Sequence, residues 1–217
     1  MQIQNMFSRL LLPLLLAIEL PTARAQSLVQ NGGLEDLSST YVNESAGYMS
    51  LGAGSTAISG WKVADGVAGS IAWGNTDFTG GFAHDGKFFV DLTGLGNASP
   101  NGAIDQTLSI TPGITYTVGL YLGNDNDAAV GVSVGGNPLS LSAPLGTGVG
   151  WTYYEGTFVG SISDLTPTLE VANISGSGFE VFVDGISVSP VPEPSTAALL
   201  AVAGSGLIAF RRKRGKV

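Results

Sequence analysis

The sequence predicts an all-β protein built around a single β-sandwich of the jelly-roll type. Short stretches of β-branched and aromatic residues recur between residues 26 and 190, separated by turn signals such as Asp85-Gly86 and Pro112-Gly113. No window in this span keeps a 3.6-residue apolar period over three turns, which argues against helices. Many short strands at regular spacing, with abundant glycine between them, are typical of a sandwich.

Six strands follow from these stretches. They are predicted at 87–92, 116–122, 130–134, 151–158, 168–171 and 179–188. Pro112-Gly113 fits a type II turn. We expect Gln106 and Thr107 to enter a further strand beside this turn, so that the strand after the turn completes a hairpin-like unit.

The first 25 residues predict a secretory signal peptide. Arg9 precedes an apolar stretch from 10 to 18, and Ala23-Arg24-Ala25 supplies a small-x-small cleavage site. An apolar stretch of this length is too short to span a bilayer, which disfavours an uncleaved anchor. We therefore expect export and a mature chain that begins at Gln26. The chain has no cysteine, so its fold is held without disulfides.

The C-terminal segment 191–217 combines three features. They are Pro192-Glu193-Pro194, an apolar run at 195–210, and a basic tail at 211–216 that opens with Arg211, Arg212, Lys213 and Arg214. As a helix the run would be about 24 Å long, short of the ~30 Å hydrocarbon core but adequate for a transient transmembrane helix. The basic tail would stay on the cytoplasmic side. A buried helix of a soluble domain is disfavoured because consecutive basic residues follow the run.

This order of features resembles the PEP-CTERM sorting signal of Gram-negative bacteria. The resemblance implies export as a membrane-associated precursor and recognition of Pro192, Glu193 and Pro194 by an exosortase. It further implies cleavage near this motif and delivery to the outer surface or the extracellular matrix. Bacteria with such signals commonly make exopolysaccharide, which makes this glycan an expected partner.

Residues 26–190 form the one predicted domain, long enough at 165 residues for a well-buried core. Two basic and 15 acidic residues give this span a net charge of −13, compared with −8 for the whole chain. Phosphate binding needs clustered Lys and Arg, so we expect no nucleic-acid partner. The charge is compatible with cation binding, and an acidic surface on a secreted protein explains it as well.

The domain carries a series of short motifs spread over 28–188. They are Val29-Gln30-Asn31-Gly32-Gly33-Leu34-Glu35, Ile58-Ser59-Gly60-Trp61, Phe89-Val90-Asp91-Leu92-Thr93-Gly94, Gly102-Ala103-Ile104-Asp105-Gln106-Thr107-Leu108, Thr111-Pro112-Gly113-Ile114-Thr115-Tyr116-Thr117-Val118 and Phe182-Val183-Asp184-Gly185-Ile186-Ser187-Val188. Together they resemble the galactose-binding-like jelly roll of carbohydrate-binding modules, in particular the DUF642-type domain that bacteria pair with sorting tails. The sequence departs from this family at Leu34, where a bulkier aromatic residue is usual.

Glu35 and Asp184 are the candidate metal ligands. They lie at opposite ends of the domain sequence, but the first and last strands of a jelly roll are neighbours, so the two carboxylates can meet. Calcium takes six to eight oxygen ligands, including main-chain carbonyls, and tolerates irregular geometry. The resemblance implies a structural calcium held by these two residues, with backbone oxygens near 48–52 as further ligands. The alternative is a solvated pair of carboxylates at strand ends.

A sugar site needs aromatic faces together with a few fixed polar groups. The candidate ligand-binding residues are Trp73, Tyr48, Asn75, Asp77, His84 and Asn124. Small and polar residues flank Trp73, which makes it the best exposed platform among the three tryptophans, with a core position as the alternative. Trp61 and Trp151 are expected in the core. The alternative for His84 is a turn residue before Asp85-Gly86.

The sequence offers little for catalysis. His84 is the only histidine, cysteine is absent, and no Gly-x-Ser-x-Gly motif occurs in the domain. A carboxylate pair for glycoside hydrolysis stays open, because only the separation of the acids would decide it. We therefore expect a non-enzymatic, glycan-binding protein of the cell surface or matrix. The alternatives are a structural matrix protein without a specific ligand and a polysaccharide hydrolase.

Overall fold

The computed structural model describes residues 26–44, 46–65, 70–78, 81–94, 102–123, 130–142, 150–174 and 181–192. Within these residues the chain forms two antiparallel sheets and no helix, so the predicted all-β sandwich is confirmed. The predicted signal peptide at 1–25 and the sorting signal from Glu193 onward lie outside the described residues, and so does the predicted helix at 195–210. None of the described residues forms a helix long and apolar enough to cross a membrane.

Two sheets contain all the strands of the described part. The strands are β1 (Tyr48–Leu51), β2 (Lys62–Val63), β3 (Ile71–Gly74), β4 (Phe89–Asp91), β5 (Ala103–Thr107), β6 (Thr115–Gly123), β7 (Val130–Val134), β8 (Asn137–Pro138), β9 (Trp151–Val159), β10 (Thr168–Asn173) and β11 (Phe182–Pro190). The six-stranded sheet has the order β1-β3-β4-β11-β6-β9, and the five-stranded sheet has the order β2-β5-β10-β7-β8.

The hydrophobic core lies between the inner faces of the two sheets. Successive side chains of a strand point to opposite faces. In β6, Val118 and Leu120 are therefore buried in the core, while Thr117 and Tyr121 are half-buried on the outer face. Leu169 of β10 contributes to the core from the five-stranded sheet. Full burial of an aliphatic side chain of this kind stabilises the fold by about 1.5–3 kcal/mol.

All six predicted strands are present. They correspond to β4, β6, β7, β9, β10 and β11, with ends that differ by a few residues. Gln106 and Thr107 lie in a strand as predicted, namely β5. The sequence analysis missed β1, β2, β3 and β8, because these strands are short and β3 contains mainly small residues around its tryptophan.

The hairpin-like unit predicted around Pro112-Gly113 is wrong. β5 pairs with β2 and β10, whereas β6 pairs with β9 and β11 in the other sheet. After β5, Leu108 N–H donates to the Pro167 carbonyl at 2.9 Å, which keeps the chain with the five-stranded sheet until the turn. The turn itself is confirmed, since Gly113 has a φ of 78°, as the second central residue of a type II turn requires.

The opening segment, residues 27–35, lies beside β11, as the prediction that the two ends of the domain are neighbours requires. The register of β11 against β6 shifts after Asp184, and Gly185 at this bulge has a φ of 59°. There Ile186 N–H donates to the Gly32 carbonyl at 2.9 Å. A β-carbon on Gly32 would lie 1.9 Å from the Ile186 carbonyl oxygen, so only glycine allows this approach. The bulge thus joins the opening segment to the last strand directly after Asp184.

Candidate functional site

On the outer face of the six-stranded sheet, aromatic rings lie over glycines of neighbouring strands. A β-carbon on Gly74 would lie 2.7 Å from the Phe89 ring, and one on Gly123 would lie 3.0 Å from the Trp151 ring. Because glycine has no side chain, each ring lies flat against the neighbouring strand. Glycine at these positions leaves room for the two rings, and both rings are buried.

Phe78 and Phe82, which follow β3 in the chain, cover one half of this outer face. The Phe78 ring stands edge-on to the rings of Phe89 and Phe182, with centroid distances of 5.5 and 5.8 Å. Trp151 Nε1–H donates to the Phe82 carbonyl at 3.2 Å. Phe89, Trp151 and Phe182 are buried in a second, smaller cluster beneath these two residues. This half of the face is therefore closed.

The other half of the face carries partly exposed aromatic and polar side chains, which we call the tyrosine face: His84, Tyr121, Tyr153 and Glu155. The exposed His84 ring stacks on the Tyr121 ring, with centroids 3.5 Å apart and planes 18° from parallel. The Tyr121 and Tyr153 rings follow at a centroid distance of 5.0 Å. Glu155 stands two residues after Tyr153 in β9, so both side chains share this face.

Glycines also shape the tyrosine face. A β-carbon on Gly119 would lie 2.1 Å from the Tyr153 hydroxyl oxygen, and one on Gly185 would lie 2.9 Å from the Tyr121 ring. Both tyrosine rings therefore extend across the neighbouring strand. Burial raises the pKa of Tyr153, and the charge of Glu155 and the Tyr121 side chain act in the same direction. The Tyr153 hydroxyl thus stays protonated near neutral pH and can donate a hydrogen bond.

The prediction that Trp73 is an exposed platform is wrong. Its side chain is 0% exposed, and Nε1–H donates to the Leu34 carbonyl at 3.2 Å. The small neighbours that suggested a loop belong to a fully buried strand, β3. Trp61 and Trp151 are also buried, at 3% and 7% exposure, as predicted. No tryptophan of this chain is available to stack on a sugar.

Three other sequence-predicted ligand residues form a separate group near β1 and the end of β3. Asn75 Oδ1 accepts a hydrogen bond from Asp77 N–H at 2.8 Å, and Asn75 N–H donates to the Gly47 carbonyl at 2.8 Å. The Tyr48 ring lies edge-on to Phe78, with centroids 6.1 Å apart. Tyr48, Asn75 and Asp77 therefore lie together but away from the tyrosine face. Of the predicted ligand residues, His84 alone belongs to that face, and Asn124 lies outside the described residues.

The sequence analysis did not single out Tyr121, Tyr153 or Glu155. The available signal was the alternation of inward and outward side chains along β6 and β9, two strands that were predicted. This alternation places the three side chains at every second position. What the alternation does not reveal is which face is outward, and which glycine of the neighbouring strand lies beneath each ring.

Glu35 and Asp184 both bind the main chain of one segment, residues 84–88. Asp184 Oδ2 accepts hydrogen bonds from His84 N–H at 2.9 Å and Asp85 N–H at 3.2 Å. Glu35 Oε1 accepts hydrogen bonds from Lys87 N–H and Phe88 N–H, both at 2.8 Å. Both acids therefore bind the main chain of the same loop.

Asp184 is fully buried, which changes its acidity. Burial raises the pKa of its carboxyl group from the ordinary value of 3.8 to about 6. Hydrogen bonds from the amides of Asp85, Gly185 and His84 act in the opposite direction, and the negative charge of Glu35 adds to the increase. The influence of Glu35 on this pKa means that the two carboxylates lie within electrostatic range of each other.

The two acids themselves offer carboxylate oxygen, the kind of donor that calcium prefers. Both acids present oxygen atoms, and Glu35 Oε2 accepts no hydrogen bond from the described residues. Among those residues no third Asp, Glu, His or Cys completes a group that could hold a metal ion. Calcium at Glu35 and Asp184 would therefore need main-chain carbonyls and water to reach six to eight ligands. The calcium site stays a prediction.

Comparison with known protein families identifies the C-terminal segment. Residues 190–214 match the PEP-CTERM protein-sorting motif, which confirms the resemblance drawn from the Pro-Glu-Pro sequence and the basic cluster. The motif marks an exported, membrane-anchored precursor that is sorted to the cell surface. Its matched range includes the last described residues, 190–192.

The chain is also similar to a curated protein. Over 184 residues the chain as a whole is 25% identical to halomucin of Haloquadratum walsbyi (strain DSM 16790 / HBSQ001), a match that covers 82% of this chain and 2% of halomucin. The chain thus spans a very small part of that curated relative.

Two solved structures are similar to this chain to different degrees. A cyclase from Fischerella sp. TAU, solved in complex with 4-(1H-indol-3-yl)butan-2-one, has a TM-score of 0.52 at 16% identity and covers 79% of this chain and 100% of the cyclase chain. The CBM22-1 xylan-binding domain of Paenibacillus barcinonensis Xyn10C has a TM-score of 0.42 at 15% identity and covers 70% of this chain and 99% of that domain. At such low identity the likeness to the cyclase concerns the fold alone.

Proposed function

We propose that this protein is exported, processed by an exosortase and displayed at the cell surface or in the extracellular matrix, where its domain binds a glycan through the tyrosine face. The sorting motif at 190–214 supports the proposed location at the cell surface. The predicted signal peptide at 1–25 supplies the export step that such a motif requires. We extend this to a Gram-negative envelope, for which the sorting motif is typical.

The single observation that supports glycan binding is the row of rings formed by His84, Tyr121 and Tyr153. Aromatic rings offer flat apolar surfaces against which the C–H groups of a sugar ring can pack. The Tyr153 hydroxyl and the Glu155 carboxylate provide a donor and an acceptor at the edge of the same surface. This combination of apolar rings and a few fixed polar groups is what carbohydrate recognition uses.

The charge of the domain narrows the class of glycan. The span 26–190 carries a net charge of −13, which opposes the approach of anionic polysaccharides. Glu155, on the face itself, adds a local negative charge. We therefore assign a neutral polysaccharide as the ligand class. The proposal includes no reaction on the glycan, so chromatography after prolonged incubation with a bound polysaccharide should detect no shorter products.

Affinity electrophoresis in gels that contain neutral polysaccharides tests this proposal. We expect the domain to be retarded by at least one of them, and we expect Tyr153→Ala and Tyr121→Ala to remove the retardation. Tyr48→Ala is the matched control, because Tyr48 is also half-buried but lies away from the tyrosine face. Circular dichroism establishes that each variant is folded.

A more subtle variant tests the geometry of the face. Gly119→Ala would push the Tyr153 hydroxyl away without removing the ring, since the β-carbon would meet the far end of a flexible side chain. We expect weaker binding with little loss of stability.

If no glycan retards the wild type, the result would contradict the glycan proposal and favour a structural surface protein. Retardation that survives both tyrosine substitutions would place the site elsewhere.

A further inference from the structure

One end of the sandwich, which we call the exit end, is where the chain leaves β11 toward the sorting motif. It consists of residues 109–115, 159–167 and 190–192. Val191 N–H donates to the Thr115 carbonyl at 2.8 Å, which fixes the point of departure. Ile110 N–H donates to the Leu165 carbonyl at 3.1 Å. These bonds join the three segments into one surface.

The exit end exposes large apolar side chains. Ile162 is 85% exposed, Val159 62%, Leu165 51% and Val191 38%. These four make up half of the large hydrophobic side chains that are exposed in the described part of the chain. A cavity of about 290 Å³ opens beside them, lined in part by Leu139, Phe158 and Pro167. Apolar groups concentrated at one end of a secreted protein indicate an interaction surface.

The exit end is also nearly free of charge. Asp164 is the one ionisable side chain in its three segments, although the span 26–190 contains 15 acidic residues. Asp164 Oδ1 accepts a hydrogen bond from Thr166 N–H at 3.1 Å, so this carboxylate caps a local turn. A surface with so little charge loses little hydration free energy when it approaches a medium of low dielectric constant.

The length of the connecting chain limits how far this surface can lie from the membrane. In the sequence three residues, and so four Cα–Cα steps, separate Val191 from Ser195, where the apolar run of the sorting signal begins. Fully extended, such a connection spans at most about 14 Å. Ser27 lies at the same side, because its hydroxyl accepts a hydrogen bond from Val188 N–H at 3.2 Å. The anchored precursor therefore holds the exit end close to the bilayer.

We propose that in the membrane-anchored precursor the exit end rests on the surface of the lipid bilayer, with Ile162, Val159 and Leu165 in the interfacial region. The inference rests on the proposed role of the sorting signal as an anchor. The partner of this surface is the lipid bilayer. Apolar side chains are stable at the boundary between its headgroups and acyl chains. Cleavage near the Pro-Glu-Pro motif then releases the domain, because four side chains of this size give only reversible binding.

The absence of cysteine from the sequence makes a site-specific test simple. The full precursor is reconstituted in phosphatidylcholine vesicles with one fluorophore attached through Ile162→Cys or, as a matched control, Ile174→Cys. Ile174 is also exposed, at 64%, and follows the last residue of β10, whereas the exit end precedes its first residue, Thr168. In the chain the whole of β10, six residues and about 20 Å in extended form, lies between the two labelled positions.

We expect nitroxide-bearing lipids to quench the label at 162 several-fold more strongly than the label at 174, and iodide in the water phase to show the reverse order. Equal quenching at both positions in membrane-bound precursor would overturn the proposal. Shielding of the label at 162 only after an exosortase is added to the vesicles would also overturn it, because the surface would then serve the protease. The change Ile162→Cys lies on the surface, and circular dichroism checks that the fold is kept.

Flotation of the vesicles separates this inference from the proposed function. Precursor that floats with the vesicles carries a working anchor, and the quenching then decides the position of the exit end alone. Precursor that does not float would contradict the anchoring role of residues 195–210, and the proposed sorting would fail together with the inference.

Discussion

The carboxylates of Glu35 and Asp184 hold opposite ends of one short segment: Asp184 binds the amides of His84 and Asp85, and Glu35 binds those of Lys87 and Phe88. The opening segment and the last strand are thereby connected through a third part of the chain. The same segment places the His84 ring on Tyr121. The order of the tyrosine face therefore depends on two acids that do not belong to it.

The first prediction concerns pH. In the folded protein burial raises the pKa of Asp184 to about 6, whereas an unfolded aspartate titrates near 3.9. The folded state therefore binds a proton more tightly, so this group favours folding most below about pH 4. This stabilisation decreases as the pH rises from about 4 through about 6, and at higher pH the group makes no further difference to the free energy of unfolding. The total change is at most about 3 kcal/mol. Urea denaturation in EDTA between pH 4 and 7 measures it.

Asp184→Asn is the control for this titration, because the amide has no charge to gain. The loss of stability that Asp184 causes between pH 4 and 6 should be absent from this variant. The other acids contribute equally to the stability of both proteins. Identical pH profiles for the wild type and Asp184→Asn would show that Asp184 ionises as easily in the folded state as in the unfolded chain.

The second prediction concerns calcium. A divalent cation at Glu35 and Asp184 would stabilise the charged form of Asp184 and so lower its pKa. We therefore expect calcium to raise the melting temperature at pH 7 relative to EDTA and to remove the pH dependence described above. Glu35→Gln should abolish the calcium effect, and Glu155→Gln, on the tyrosine face, should leave it intact. A melting temperature that is the same in calcium and in EDTA would mean that the two acids only hold the loop.

The sequence predicted the main strands because their residue types carry the information locally. β6, β9 and β11 are rich in β-branched and aromatic residues at alternate positions, and such patterns need no knowledge of the partner strand. The closeness of the opening segment and the last strand followed from the neighbouring ends of a jelly roll. The segment 84–88 that joins them did not, since no local pattern records which amides a carboxylate will bind.

The burial of Trp73 depended on tertiary information that the sequence does not display. Gly74 beside it resembled a loop residue, but it is glycine because the Phe89 ring of the next strand covers it. The tyrosine face was missed for the same reason. Tyr153 lies across Gly119, and this relation follows only from the pairing of Gly119 with Glu155 in the sheet.

The third prediction uses the buried position of Trp73. Trp73→Ala removes a fully buried ring and should lower the free energy of unfolding by about 3–5 kcal/mol. Trp73→Phe keeps an aromatic ring but loses the hydrogen bond to the Leu34 carbonyl, so we expect a smaller loss. Urea denaturation at pH 7 compares the two. Trp73→Ala with unchanged stability would contradict the burial of this side chain.

The fourth prediction separates backbone strain from steric conflict at two glycines with positive φ. Gly113 has a φ of 78° and open space around it, so Gly113→Ala should cost only the left-handed conformation, about 1–2 kcal/mol. Gly94 has a φ of 63°, and its β-carbon would lie 1.6 Å from the Ser70 carbonyl oxygen. Because this oxygen belongs to the main chain, β3 and the end of β4 would have to move apart. Gly94→Ala should therefore destabilise the protein much more than Gly113→Ala, and equal urea midpoints for the two variants would contradict the close approach of Gly94 to Ser70.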